Sequence, residues 1–347
     1  MATMNPTGIY PSFAAMAANA RLIEGLMFDL GNADDEYLAG KICAPVTFPA
    51  TDIQNEMNID GRGLHGKIAR MAMWGAFGQA RPSKIAYGQR LIPVAGQEYD
   101  PLDYEGTKYG NSYNLSVEDV AEIEEIGVDA FKWFLDIPRT QVLVAREADW
   151  AALFSTTANW ASTVAAATPW TASSGSTPIQ DIQALRNKVS KFGVPDTMIL
   201  GVEAANALLA NEAFNGPRQT TVDRATLTTE QLVEILKSRF GFENIYIGTA
   251  KAETSPDPSS SDPQFIWGST VWIGKIGEAM SATSTGRVRA RSAAVASIVA
   301  QPLYADVIGP RINAENDDSY IARVRMIESL NVVYDVLGGT LTGVVGS

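Results

Sequence analysis

Residues 57–92 limit the possible folds more than any other part of the chain, because glycine interrupts every regular pattern in them. Glycine stands at positions 61, 63, 66, 75, 78 and 88, so neither a helical nor a strand periodicity runs through the segment. A structureless stretch of this length is uncommon inside a compact domain. The sequence therefore predicts a long, hairpin-like projection that docks away from its own core.

The projection is basic, and the segment that follows it is acidic. In residues 57–92 a single acid, Asp60, stands against six basic residues, which are Arg62, Lys67, Arg70, Arg81, Lys84 and Arg90. Residues 93–130 carry ten acids and one lysine, and the acids include Glu118, Glu122 and Glu125. Two solvated faces would explain this charge map, and so would docking of the projection on the acidic part of a neighbouring copy. The named basic and acidic residues other than Asp60 are candidate assembly contacts.

One histidine and one cysteine restrict the chemistry available to the chain. Cys43 has no partner for an internal disulfide or a zinc cluster, and any Ser–His–Asp triad would have to use His65. His65 lies among the glycines of the projection, where a general base would not be held rigidly. We therefore predict no catalytic residues, no metal site and no cofactor. The formal net charge of −12 also excludes a whole-protein positive field that would gather nucleic acid.

Residues 195–214 predict a short strand, one glycine and then a helix, a layout in which many enzymes hold phosphate at a helix N-terminus. A dinucleotide site or a P-loop needs several glycines, whereas Gly201 stands alone and no P-loop lysine follows it. Glu203 at the start of the helix would also repel a phosphate. The sequence therefore favours a simple bend at Gly201.

Helix and strand patterns divide the rest of the chain into an outer unit and an α/β insert. In the outer unit Ser116 is a predicted N-cap, and Arg139–Phe154, after Pro138, is the best amphipathic helix. A turn-rich link at 168–178 leads into the insert. The predicted elements of the insert are Ile179–Phe192, Thr197–Leu200, Glu203–Asn211, Thr229–Phe240, Asn244–Gly248 and a strand pair within 264–277. From about residue 290 the chain turns to strands that complete the outer unit.

This order of segments resembles the major capsid protein of tailed bacteriophages, which has the Hong Kong ninety-seven fold, and within that family the lambda-like branch. The local match lies in "WTASSGSTPIQDIQALRNKVSKFGVPDTMILGVEAANALLANEAF", where a tryptophan and a serine-rich link precede "P-x-x-D-I", an apolar strand and a helix with paired leucines. The segment "QFIWGSTVWIGKI" is similar to a strand of the same branch.

The resemblance implies an α+β fold, the phage major capsid protein fold, with a long spine helix. The implied segments are an N-terminal arm (1–49), an extended loop (50–115), a peripheral domain (116–179), an α/β axial domain (180–300) and peripheral return strands (301–347). It implies a structural protein, not an enzyme, that self-assembles into hexamers and pentamers of an icosahedral shell around double-stranded DNA, without sequence-specific binding. Separate scaffolding, portal and decoration proteins are the implied partners, a membrane is not, and the implied location is the virion capsid after assembly in the host cytoplasm.

Two other functions stay open from the residues alone. An encapsulin-like nanocompartment of the same fold would enclose enzymes through a docking peptide instead of enclosing DNA. An enzyme built on the α/β insert is the third interpretation, although a single histidine and the lack of a phosphate loop give it little support. The uncharged residues 1–20 suit an arm that lies along another surface.

Overall fold

The computed structural model describes the chain in thirteen ranges. These are residues 37–39, 41–42, 46–47, 65–71, 99–127, 130–172, 174–215, 227–253, 261–276, 281–282, 288–289, 293–308 and 319–346. The α-helices in these ranges are α1 (Val117–Glu125), α2 (Ala130–Ser155), α3 (Pro178–Ser190), α4 (Val202–Ala210), α5 (Glu212–Asn215) and α6 (Thr229–Phe240).

The strands of the same ranges form four sheets. They are β1 (Val46–Thr47), β2 (His65–Met71), β3 (Tyr99–Glu105), β4 (Thr107–Ser116), β5 (Ser162–Ala165), β6 (Thr197–Gly201), β7 (Asn244–Gly248), β8 (Lys251–Glu253), β9 (Pro263–Phe265), β10 (Val271–Gly274), β11 (Ser281–Ala282), β12 (Val288–Arg289), β13 (Val295–Ile308), β14 (Ser319–Val332) and β15 (Gly338–Thr342). Two of the sheets, described next, carry the body of the fold.

The four-stranded sheet β1-β13-β14-β4, called the long sheet below, is built on two strands of 14 residues each. Buried side chains alternate along β14, because successive residues of a strand point to opposite faces. Ala322, Val324 and Met326 form one cluster with Leu135 and Val142 of α2. Helix α2 therefore covers one face of the long sheet, and α1 packs beside it.

The five-stranded sheet β5-β15-β10-β6-β7, called the central sheet, is covered on both faces. Its strand β6 is buried along its whole length, as expected for an unbroken apolar run. Met198 and Leu200 pack in one cluster with the apolar faces of α3, α4 and α6. Ile199, which points to the opposite face, packs in another cluster with Trp150 and Phe154 of α2. Helix α2 thus contacts both sheets.

Helix α2 is longer than the sequence predicted. The predicted helix began at Arg139, whereas α2 begins at Ala130 and contains Pro138. Proline in a helix interior removes one backbone hydrogen bond. Burial offsets this loss, because Ala130, Phe134 and Leu135 in the first turns are all buried. At about 1.5 Å per residue, the 26-residue helix is about 39 Å long.

The predicted strand pair within residues 264–277 is wrong in its pairing. Strands β9 and β10 do form there, but β9 pairs with β8, while β10 lies between β6 and β15. Both edges of β10 are therefore occupied, and no edge is left for β9. Gly268, whose φ is +42°, lies in the connection between the two strands.

Other predicted elements of the chain are confirmed. Helix Thr229–Phe240 and strand Asn244–Gly248 have the predicted bounds. Ser116 caps α1, since its hydroxyl accepts a hydrogen bond from the amide of Asp119 at 3.0 Å. Local sequence signals therefore fix the elements that carry clear caps.

The strand order adds one observation to the predicted domain boundaries, which stay a prediction. Strands β5 and β15 fall in segments assigned to the peripheral domain, yet both lie in the central sheet, where β15 pairs with β5 and β10. The central sheet therefore contains chain from both sides of the predicted axial domain, residues 180–300.

Candidate assembly surfaces

The base of the predicted extended loop is an antiparallel pair of strands, β2 and β3. Their register places Lys67 opposite Asp103 and Arg70 opposite Asp100. Opposite charges at directly opposed positions of two strands attract one another. Part of the basic segment therefore lies against acidic residues of its own chain, which the hypothesis of docking on a neighbour did not foresee.

The other basic candidate contacts, Arg62, Arg81, Lys84 and Arg90, lie outside the described residues. The structure places the backbone of Lys67 and Arg70 in β2. All six stay predictions as contacts between copies.

The acidic candidates Glu118, Glu122 and Glu125 share one exposed side of α1. They are spaced by four and three residues, which places them on successive turns of a helix. Val120 on the other side is buried in a cluster with Phe134 of α2. Like charges at these spacings repel, and Glu125 at the C-terminal end also meets the negative end of the helix dipole. A cationic partner would relieve both effects, so this acidic face suits contact with a basic surface.

A buried ion pair fixes α2 to the long sheet. The guanidinium of Arg146 donates to both carboxylate oxygens of Glu328, at 2.6 and 2.9 Å. The hydroxyl of Ser297 in β13 donates to the same carboxylate at 2.5 Å. Glu328 is only 1% exposed, and a carboxylate at such a position requires partners of this kind. Burial alone would lower the pKa of Arg146, but the hydrogen bond and charge of Glu328 raise this pKa above its ordinary value.

A second contact ties the start of β4 to the same helix. The hydroxyl of Tyr109 donates a hydrogen bond of 2.6 Å to Asp149 of α2. Burial of the phenol, followed by its hydrogen bond to the Asp149 carboxylate, raises the pKa of Tyr109 above its ordinary value. The phenol therefore stays protonated and keeps donating at physiological pH. Because β4 directly follows β3, this contact also fixes the base of the predicted extended loop.

Sequence reasoning missed Arg146, Glu147 and Glu328, which lie at the centre of the fold. Burial of Glu328 could have been predicted, because every second residue of β14 points to the same face and Val324 and Met326 on that face are buried. The buried contacts of Arg146 and Glu147 could not have been predicted. Both residues lie within a helix whose apolar face is wide, so the pattern does not show which polar residues are buried. Only the packing of α2 between the two sheets shows that Glu147 is fully buried.

The structure gives no support to a phosphate site at Gly201. The amide of Gly201 donates to the carbonyl of Thr270 at 2.7 Å, and the amide of Glu203 donates to that of Gly268 at 3.3 Å. These amides at the start of α4 are therefore already occupied. A Cβ atom at Gly201 would lie 2.0 Å from the carbonyl oxygen of Gly268. Glycine is needed here because two backbone segments approach closely.

The described part of the chain contains neither a metal-binding cluster nor a membrane-spanning helix. No three histidine, cysteine, aspartate or glutamate residues there come together in a way that could hold a metal ion. In the same ranges, no helix has the length and apolar character needed to cross a membrane.

Solved structures of similar shape come from phages and related particles. A phage-related protein from Bordetella bronchiseptica RB50 matches with a TM-score of 0.56 and 15% identity, over 90% of this chain and 93% of that one. The capsid of Myoviridae phage XM1 matches with a TM-score of 0.47 and 14% identity, over 85% and 92% of the two chains. A virus-like particle from Pyrococcus furiosus gives 0.46 and 12%, over 90% and 95%. At 15% identity, the likeness to the Bordetella protein concerns the fold.

Comparison with protein families gives a match over the middle of the chain. Residues 142–308, from within α2 to the end of β13, match the family described as phage major capsid protein E. This range of the chain therefore has the sequence pattern of that family. Both segments that carried the resemblance, within residues 170–214 and 264–276, lie inside the matched range. The resemblance to major capsid proteins of tailed phages and the predicted α+β fold are thereby confirmed. No match was found among curated proteins.

Proposed function

We propose that this capsid protein self-assembles into hexamers and pentamers of an icosahedral shell that encloses double-stranded DNA. The main support is the match of residues 142–308 to the phage major capsid protein family. The net charge of −12 suits a container, because an acidic wall repels the packed polyanion and lets it slide. The mechanism is assembly and not catalysis.

Each contact between copies would join the predicted basic segment, residues 57–92, to an acidic helix face. The strands β2 and β3 lie at the base of the extended loop, and β4, which follows, is held on α2 by Tyr109. Helix α1 packs on the same helix through its opposite side, at Val120, and leaves the acidic face exposed. A basic projection and an acidic face on one subunit generate a head-to-tail contact, which closes into rings when the rotation between copies allows it. Scaffolding, portal and decoration proteins would act on the same shell, assembled in the host cytoplasm.

Negative-stain electron microscopy of the purified protein tests this function. We expect closed particles of uniform diameter, and particles from the cells that naturally produce the chain should contain double-stranded DNA resistant to external nuclease. Closed particles with a protein cargo and no DNA would instead identify an encapsulin-like compartment. Subunits that form no closed particles at any salt or protein concentration, alone or with the natural scaffolding protein, would contradict the proposal.

The acidic face of α1 is expected to contribute to assembly through its charge. The double substitution Glu122→Gln and Glu125→Gln removes two negative charges and keeps the size and the helix propensity of both side chains. Light scattering should show slower assembly than for the wild type. The difference should be largest at low salt, because ions screen exposed charges less there.

The control for this variant changes the same charge elsewhere. Glu234 and Glu243 are also exposed, and their double substitution to glutamine alters the net charge equally. This control should assemble like the wild type. Equal assembly of both double variants at every salt concentration would show that the acidic face of α1 takes no part in docking.

A further inference from the structure

We propose that Glu147 forms a backbone-binding anchor, which holds the segment at Leu38 and Ala39 on the body of the subunit. The consequence for assembly rests on the proposed shell function, in which the N-terminal arm lies along a neighbour. The anchor itself rests only on contacts within one chain, and it can be tested separately.

The Glu147 carboxylate accepts hydrogen bonds from two consecutive backbone amides. The amide of Leu38 donates to Oε1 at 2.9 Å, and the amide of Ala39 donates to Oε2 at 2.7 Å. Arg146, the neighbour of Glu147 on α2, donates to the carbonyl of Ala39 at 3.1 Å. Arg146 and Glu147, which are adjacent on α2, thus bind both amide groups and a carbonyl group of the same short segment.

The Glu147 carboxylate and the side chains packed around it are buried. Glu147 is 0% exposed, and the indole of Trp267 donates to its Oε1 at 2.5 Å. Leu38, which carries one of the bound amides, and Ile42, three residues after Ala39, are buried in the cluster that contains Trp267. The hydroxyl of Tyr246 in β7 also donates to the carbonyl of Lys41 at 3.1 Å. The segment is therefore held from both α2 and the central sheet.

A carboxylate side chain matches the donors around it in this geometry. Three N–H groups converge on Glu147, and an ionised carboxylate only accepts hydrogen bonds. Glutamine has the same shape, but its NH₂ group would face one of these donors. The substitution Glu147→Gln should therefore break one amide contact without opening a large cavity. Hydrogen bonds to charged groups are the stronger class, so the remaining contacts should not hold the segment as firmly.

Trypsin cleavage of the native full-length subunit measures release of the segment. Lys41 is exposed, but its carbonyl is hydrogen-bonded and Ile42 is buried, so cleavage between them requires local detachment. For Glu147→Gln we expect cleavage after Lys41 to be about tenfold faster or more, from the loss of one hydrogen bond to a charged group. Cleavage after Lys237 in α6 should not change, because it reports unfolding of another part of the subunit.

Two further variants make the result specific. Asp149→Asn alters an exposed carboxylate two residues along α2 that bonds to Tyr109, and cleavage after Lys41 should stay at the wild-type rate. Ala39→Pro removes one amide donor and leaves Glu147 intact, so it should accelerate the same cleavage. A double variant combines Ala39→Pro with Glu147→Gln. Its cleavage after Lys41 should be slower than the product of the two single accelerations predicts, because both changes break the same contact.

An unchanged rate of trypsin cleavage after Lys41 in Glu147→Gln would overturn the proposed anchor. If that variant does not fold, an unchanged rate in Ala39→Pro would overturn it equally. The folded Glu147→Gln subunits should also give fewer closed particles in electron microscopy. If the wild type gives no particles, the shell function fails while the cleavage result stands on its own.

Discussion

The substitution Glu328→Gln is expected to lower the free energy of unfolding by about 3–5 kcal/mol, which is the typical cost of removing one partner of a buried ion pair. Glutamine keeps the size of the side chain but leaves the Arg146 guanidinium without its counter-charge. It can also no longer accept from Arg146 at two oxygens while accepting from Ser297. Urea unfolding followed by circular dichroism measures the loss.

A matched control and a double-mutant cycle make this prediction specific. Glu122→Gln changes the same chemical group on an exposed face and should alter stability by less than about 0.5 kcal/mol. The variants Arg146→Met and Glu328→Met, singly and together, isolate the pairwise term. The double variant should lose less than the sum of the two single losses, since the second change removes a charge that the first left unpaired. A loss for Glu328→Gln no larger than that of the control would show that the buried pair does not stabilise the fold.

The substitution Gly201→Ala is expected to destabilise the subunit by about 3 kcal/mol, at the upper end for overpacking. The added Cβ would lie 2.0 Å from the carbonyl oxygen of Gly268 and 2.5 Å from that of Trp267. Both atoms belong to the backbone, so no change of rotamer relieves the contact. The φ and ψ of Gly201, −70° and 153°, are accessible to alanine, so the cost is steric and not conformational.

Gly110→Ala is the matched control for this substitution. A Cβ there would lie 3.6 Å or more from its nearest neighbours, an ordinary contact distance. Loss of chain entropy in the unfolded state should leave the stability of this variant unchanged or slightly increased. Differential scanning calorimetry gives the melting temperatures of the two variants. Their difference separates the steric effect at Gly201 from a general effect of replacing glycine. A wild-type melting temperature for Gly201→Ala would show that Gly201 is merely a bend.

Elements that are fixed by neighbouring residues could be predicted from the sequence, and those fixed by distant contacts could not. Helix α6 was predictable because Thr228 and Gln231 form a capping box and Gly241 ends the helix at a φ of +71°. The first turns of α2 were not, because Pro138 is a stop signal that only tertiary burial overrides. The partners of β10 were hidden for the same reason, since β15 follows it more than 60 residues later.

The candidate surfaces divide in the same way. The acidic face of α1 could be predicted from the sequence, because glutamates four and three residues apart share one side of a helix. The register of Lys67 against Asp103 could not, because pairing of β2 with β3 depends on where the chain returns after an interval of 27 residues between the two strands. Charge content along the chain therefore identified which segments carry opposite signs, but not which of these residues lie opposite one another in a sheet of one subunit.

The aromatic residues at the end of α2 give the subunit a mechanical property. The ring of Phe154 lies 4.8 Å from that of Trp272 and 6.0 Å from those of Trp160 and Trp267, between their centroids. Close-packed interiors have low compressibility and transmit strain. A force on the long sheet is therefore transmitted through α2 to the central sheet. In the proposed shell, pressure from the enclosed DNA should therefore deform each subunit as a rigid unit, and the contacts between subunits should fail first.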